Sequence, residues 1–114
     1  MKVTVVLNPR SGRQRAVPLR SEAEKLAHVQ HAELTVRTIE APGDGTRFAH
    51  EAVANGADRV IAIGGDGTLN AVAAGLVGTP VALGIVPMGS GNGYARSLKL
   101  PRDPLVALHT AFTG

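Results

Sequence analysis

The chain has 114 residues, a formal net charge of +3 and no cysteine, a length that suits one domain with its own core and a composition that excludes disulfides, thiolate nucleophiles and cysteine-ligated zinc. The opening Met1-Lys2-Val3-Thr4 reads as a strand rather than a signal peptide, and no apolar run approaches the roughly 20 residues of a membrane span, so a soluble, cytoplasmic, non-transmembrane protein is expected. Nine of the 12 cations are arginines, but they are mostly scattered and aromatics are nearly absent, which argues against a nucleic-acid partner.

Val3-Thr4-Val5-Val6-Leu7 is a near-continuous apolar run, as expected of a central parallel strand. It ends in Asn8-Pro9-Arg10-Ser11-Gly12-Arg13, where Pro9 stops the ladder and the others form a turn. A helix is predicted from Pro18, with Leu19, Ala23, Leu26 and Ala27 as its buried stripe. His28 and His31 near its end suit the negative end of the dipole, and no metal-ligand spacing joins them to His50 or His109. Leu34-Thr35-Val36-Arg37-Thr38-Ile39 alternates, so it reads as a strand nearer an edge. Residues 41–45 form a turn. Thr46 is predicted to cap a helix closed by Gly56, with Phe48, Ala49, Ala52 and Val53 inward.

Val60-Ile61-Ala62-Ile63 is a third strand, broken by Gly64-Gly65-Asp66-Gly67-Thr68. Leu69, Val72, Ala73 and Leu76 then mark one face of a helix over 68–77. Residues 81–86 read as a fourth strand buried on both faces, followed by a second glycine loop over 87–93 and a short helix over 94–98. Asp103 as cap and Pro104 as first helical residue start a last helix, with Leu105, Leu108 and Phe112 inward.

Strands alternating with helices predict an α/β fold: an open, mostly parallel sheet between two helical layers, with right-handed crossovers. Ligands of such sheets bind beyond the carboxyl ends of the strands. Three turn-rich loops fall there, at residues 8–12, 64–68 and 87–93, so all three can face one crevice. Their glycines, helix-start N–H groups, amides and hydroxyls are phosphate-binding parts, although no G-x-x-x-x-G-K-[ST] motif occurs. The glycines are expected to supply special backbone angles and close ligand approach. Asp66 is the one carboxylate inside these loops. It suits Mg²⁺, held directly or through water, or proton abstraction from an attacking hydroxyl. Its structural alternative is to hold the loop by accepting backbone N–H bonds.

In order and spacing, Asn8-Pro9-Arg10-Ser11-Gly12, Gly64-Gly65-Asp66-Gly67-Thr68-Leu69-Asn70 and Leu83-Gly84-Ile85-Val86-Pro87-Met88-Gly89-Ser90-Gly91-Asn92 resemble the catalytic domain of diacylglycerol kinases. Sphingosine, ceramide and bacterial soluble lipid kinases share that domain. NAD kinases and phosphofructokinases carry a similar Gly-Gly-Asp-Gly element, but the Asn-Pro-x-Ser-Gly opening and the Gly-Ser-Gly-Asn loop tip the match to the lipid-kinase branch. The resemblance implies a Rossmann-like, three-layer α/β/α nucleotide-binding domain. It also implies transfer of the ATP γ-phosphate to a lipid hydroxyl at a membrane surface, with Mg²⁺. Carried over by position, Asn8, Ser11 and Gly12 line the nucleotide site, while Gly64, Gly65, Gly67 and Thr68 cradle phosphates. Asp66 serves the metal or acts as base, and Gly89, Ser90, Gly91 and Asn92 complete the pocket.

Two positions depart from the family pattern. Ala71 stands where many members have Glu, and Gly93 where many bacterial members have Asp. The family also has a second, β-rich domain carrying the acceptor site. Residues 1–114 are therefore expected to be the nucleotide-binding domain alone, poorly active by itself and prone to dimerise through the surface the second domain covers. An NAD-kinase-like enzyme is the alternative within the superfamily, but no Asn-Glu pair occurs in the chain. A non-catalytic nucleotide- or protein-binding module is the alternative outside enzymes.

Overall fold

The computed structural model describes residues 1–11, 16–88 and 103–113. Four strands and four helices lie among them: β1 (Lys2–Leu7), α1 (Leu19–Val29), β2 (Glu33–Thr38), α2 (Asp44–Ala54), β3 (Arg59–Gly64), α3 (Asp66–Leu76), β4 (Ala82–Pro87) and α4 (Pro104–Thr113). All strand pairs are parallel, in the order β2-β1-β3-β4. Val5 pairs with Val36 on one side and Ile61 on the other, and Ile61 in turn pairs with Gly84. Among the described residues no helix is long and apolar enough to cross a membrane.

The central strands are apolar on both faces because helices cover both. Val3, Val5, Leu7, Ile61 and Ile63 pack with Leu19, Ala23 and Ala27 of α1 and Leu108 and Phe112 of α4. Val6, Val60 and Ala62 pack on the opposite face with Phe48, Ala49 and Ala52 of α2 and Leu69, Val72 and Leu76 of α3. The result is the expected three-layer α/β/α fold. β2 alternates and lies at an edge, as its pattern predicts, with Leu34 and Val36 only partly buried.

Several local expectations need correction. β4 is not buried along both faces: Ala82 and Leu83 are exposed and only Val86 and Pro87 are fully covered, because β4 is the outermost described strand on its side. Leu105 points outward, and the inward face of α4 is Ala107, Leu108, Ala111 and Phe112. Asp103 does cap this helix, accepting the Leu105 N–H at 2.9 Å. α3 starts at Asp66, two residues before the predicted start.

Thr46 does not cap α2. That helix starts at Asp44 after Gly43, which takes a left-handed φ of +89°, and the Thr46 hydroxyl instead donates to the Ala71 carbonyl oxygen at 2.7 Å. α2 and α3 approach so closely that a Cβ on Gly75 would stand 2.6 Å from Ala49 Cβ. Gly56 closes α2 with φ +78°, as expected; the Gly56 and Ala57 N–H groups donate to the Val53 and Ala52 carbonyls. The end of α1 has the same bond pattern, with His31 at φ +55° in the place usually taken by glycine.

Candidate functional site

The chain runs from β1 outward to β2, then crosses back to β3 on the other side of β1. The loops after β1 and β3 therefore diverge to opposite helical layers, and a crevice opens between them at the carboxyl end of the sheet. Two of the three predicted loops meet here. Asn8 continues the ladder by donating its backbone N–H to the Ile63 carbonyl at 2.9 Å. Its side-chain Oδ1 accepts the Arg10 N–H at 3.0 Å, and its Nδ2 donates to Thr68 Oγ1 at 3.1 Å. Ser11 Oγ accepts the Gly65 N–H at 3.2 Å. The loop after β1 is thus latched twice to the start of α3.

Those bonds change the roles expected of the glycines. Gly64, Gly65 and Gly67 are not among the described positive-φ glycines. Gly64 is required for space, since a Cβ there would lie 2.7 Å from Thr68 Cβ and push away the acceptor of the Asn8 amide. The Gly65 N–H is already engaged by Ser11. Gly67 has open space where a Cβ would be, so there the backbone is approachable. The first N–H bonded within α3 is that of Leu69, to the Gly65 carbonyl at 3.0 Å. The N–H groups of Asp66, Gly67 and Thr68 are left without an intrahelical partner at the positive end of the helix dipole.

Asp66 opens α3 with an exposed side chain, and Gly65 in the capping position makes no side-chain cap bond. No hydrogen bond or ion pair ties the Asp66 carboxylate to another described residue, so it does not play the loop-holding part that a glycine-flanked aspartate could have. Among the described residues no cluster of three or more His, Asp or Glu could hold a metal. A single free carboxylate beside helix-start N–H groups still fits Mg²⁺, which commonly takes one or two protein carboxylates and completes its shell with water and substrate phosphates.

An open cleft of about 350 Å³ lies against these elements. One side is Asn8 and Arg10, and another is Gly67, Thr68 and Ala71 of α3. The third side is the loop after β2, residues 39–43, together with Gly45. Sequence reasoning missed this wall because it read residues 41–45 only as a turn. Ser11, Gly64, Gly65 and Asp66 stand beside the cleft rather than in its lining. Gly12, Gly89, Ser90, Gly91 and Asn92 lie outside the described residues, as do Arg13, Arg15 and Gly93.

Asp44, the first residue of α2, holds the third wall. Its Oδ2 accepts the backbone N–H groups of Glu40 and Ala41, each at 3.0 Å. Its Oδ1 accepts from Arg47 Nη2 at 3.1 Å. The Glu40 N–H, then Arg47 and the Ala41 N–H, lower the Asp44 pKa below the ordinary carboxylate value, outweighing the opposing effect of burial.

The diacylglycerol kinase catalytic domain family model matches residues 2–114. The Klebsiella pneumoniae (strain 342) protein named "Probable lipid kinase YegS-like" is 38% identical over 99 residues, covering 85% of this chain and 33% of that protein. The Cronobacter sakazakii protein of the same name is 43% identical over 94 residues, covering 79% of this chain and 31% of that protein. The crystal structure of a diacylglycerol kinase from Bacillus anthracis str. Sterne superposes with a TM-score of 0.74 at 26% identity, over 98% of this chain and 42% of that one. The chain spans about a third of the length of the curated relatives it matches. With the sheet order, the glycine turn into α3 and the match over residues 2–114 in agreement, the chain belongs to the diacylglycerol kinase catalytic domain family of lipid kinases.

Proposed function

We propose that this unit binds Mg²⁺-ATP in the cleft and forms the nucleotide-binding part of a lipid kinase. The supporting observation is that the latched loop after β1, the unpartnered N–H groups at the start of α3 and the wall of residues 39–43 all meet at the switch point of the sheet. In this reading the phosphates lie against the N–H groups of Asp66, Gly67 and Thr68, within reach of Arg10. Asn8 and Ser11 hold the two loops at the spacing the phosphates need. Gly12, Gly89, Ser90, Gly91 and Asn92 are assigned to the same nucleotide site by the family resemblance.

The reaction is attack of a lipid hydroxyl on the γ-phosphorus, with ADP leaving and the hydroxyl proton passing to a base. The acceptor is diacylglycerol-like or sphingoid and is met at a membrane surface, where well-placed arginines add up to about 1 kcal/mol each on anionic lipid. Bound Mg²⁺ would neutralise charge on the transferring phosphoryl group. Asp66 is the residue for that ion, directly or through water, or for the proton. The two roles separate experimentally: changing a metal ligand shifts the Mg²⁺ dependence of turnover, whereas changing a base lowers turnover at saturating Mg²⁺ as well.

Binding of Mg²⁺-ATP tests the reading, with NAD run in parallel. Saturable binding of ATP and not NAD supports it. Binding of NAD alone points to the NAD-kinase branch of chemistry, and binding of neither overturns the nucleotide assignment.

A further inference from the structure

The carboxylate of Asp44 does not cap its own helix; it turns back to the loop before it. The two N–H groups it holds belong to Glu40 and Ala41, two residues of the third cleft wall. Its other oxygen is clamped by Arg47, which also reaches Glu51 Oε2 at 3.6 Å. Glu51 Oε1 in turn accepts from Arg37 Nη1 of β2 at 3.2 Å. Both guanidinium groups sit over the Phe48 ring, at 4.2 Å for Arg37 and 4.6 Å for Arg47. Phe48 itself is buried in the α2–α3 core. The wall is therefore tied through Asp44 and Arg47 to the sheet edge and to the core, and not only to its chain neighbours.

The wall and the start of α3 differ in chemistry. Ile39, Ala41 and Pro42 give the wall an apolar character, suited to a base or a sugar face, whereas α3 offers N–H groups suited to phosphate. We propose that Asp44 is a positioning residue that holds the 39–43 wall for the nucleoside half of the nucleotide, so that it governs nucleoside recognition without touching the ligand. This rests on the reading of the cleft as a nucleotide site.

The test compares Mg²⁺-ATP with Mg²⁺-tripolyphosphate, which has the phosphates and lacks the nucleoside. Calorimetric titrations are run on the unaltered chain, Asp44→Ala, Asp44→Asn and Arg47→Met. Releasing the wall adds an ordering cost to nucleoside binding, so Asp44→Ala is expected to weaken ATP by about tenfold. Tripolyphosphate affinity is expected to stay within about twofold, because its contacts lie at α3. Asp44→Asn, which keeps one acceptor oxygen, and Arg47→Met, which keeps the carboxylate but removes its clamp, fall between the two in ATP affinity. Amide exchange at Glu40 and Ala41 speeds up in Asp44→Ala while the Ile61 and Ile63 amides remain protected. If Asp44→Ala does not fold, the ratio of ATP to tripolyphosphate affinity in the other two variants decides. Equal weakening of both ligands, or unchanged ATP affinity, overturns the proposal and leaves the cleft assignment standing. An unaltered chain that binds neither ligand overturns the cleft assignment, and the proposal with it.

Discussion

The side-chain amide of Asn8 donates to Thr68 Oγ1 at 3.1 Å, joining the end of β1 to the first turn of α3 across the switch point of the sheet. The acceptor is a buried residue, and the same Asn8 amide is fixed from its other end by the Arg10 N–H. Thr68→Val preserves the shape of the side chain and removes the acceptor. It is expected to lower stability by about 1–2 kcal/mol, the usual consequence of leaving a part-buried donor unpaired. Thr68→Ser keeps the oxygen and should recover most of that loss in urea unfolding. Equal stability for the valine and serine variants would show that the latch contributes nothing.

Gly75 and Gly67 lie on the same helix and should respond oppositely to alanine. A Cβ on Gly75 meets Ala49 Cβ at 2.6 Å and the Thr46 carbonyl oxygen at 2.8 Å, so α2 and α3 must move apart. Gly75→Ala is expected to cost about 1–3 kcal/mol through overpacking. A Cβ on Gly67 meets nothing within 4 Å, so Gly67→Ala should leave stability almost unchanged. It should still weaken Mg²⁺-ATP, since the methyl group enters the cleft. Paired denaturation and binding curves for the two variants check both statements.

His31 adopts φ +55° at the end of α1, a conformation that is unfavourable for a side chain bearing a Cβ. His31→Gly is expected to raise stability by about 0.5–1 kcal/mol, because relief of the left-handed strain exceeds the extra freedom glycine has when unfolded. Thermal unfolding reads this directly, and a lower melting temperature would contradict it.

Asp44 links stability to pH. Its folded pKa is lowered, so the unfolded chain takes up the proton first as pH falls. Its contribution is complete above the ordinary carboxylate value, near pH 4, and is lost as pH falls through that value towards the folded one. Asp44→Asn does not titrate at this position. The stability difference between the unaltered chain and Asp44→Asn should therefore be constant near neutrality and shrink below about pH 4. A difference that grows on acidification would contradict the assignment.

The sheet and its layers were legible because β1 and β3 are unbroken apolar runs and the helices between them carry one apolar face each. The position of the candidate cleft was legible where a loop breaks such a run, at Asn8 and at Gly64-Gly65. Three features were not. Asp44 and Thr46 both suit a helix start, and the pattern cannot show that Asp44 reaches back to Glu40 while Thr46 turns to Ala71, because the first choice depends on the path of the loop after β2 and the second on α3 packing alongside. The outward turn of Leu105 follows from the small residues Ala107 and Ala111 facing the sheet, where a Cβ on Gly84 would stand 2.8 Å from Ala111 Cβ. The wall at residues 39–43 joins the site only because β2 lies next to β1, a neighbour relation that periodicity does not encode.

Asp66 stands apart from these structural devices. Its carboxylate is exposed at the first turn of α3, beside N–H groups without an intrahelical partner. A role in chemistry predicts that Asp66→Asn leaves unfolding free energy within about 0.5 kcal/mol of the unaltered chain, as for an uninvolved surface position. The same change should alter the Mg²⁺ dependence of ATP binding or lower phosphoryl transfer at saturating Mg²⁺.

Backbone amide chemical shifts recorded during a titration with Mg²⁺-ATP, and separately with NAD, test whether this cleft is the nucleotide site. Saturable shifts are expected at Asn8, Arg10 and Ser11, at residues 39–43 and at Asp66, Gly67 and Thr68 with ATP, and none there with NAD. Shifts confined to other surfaces, or no response at millimolar ATP, would contradict the assignment of this cleft to the nucleotide.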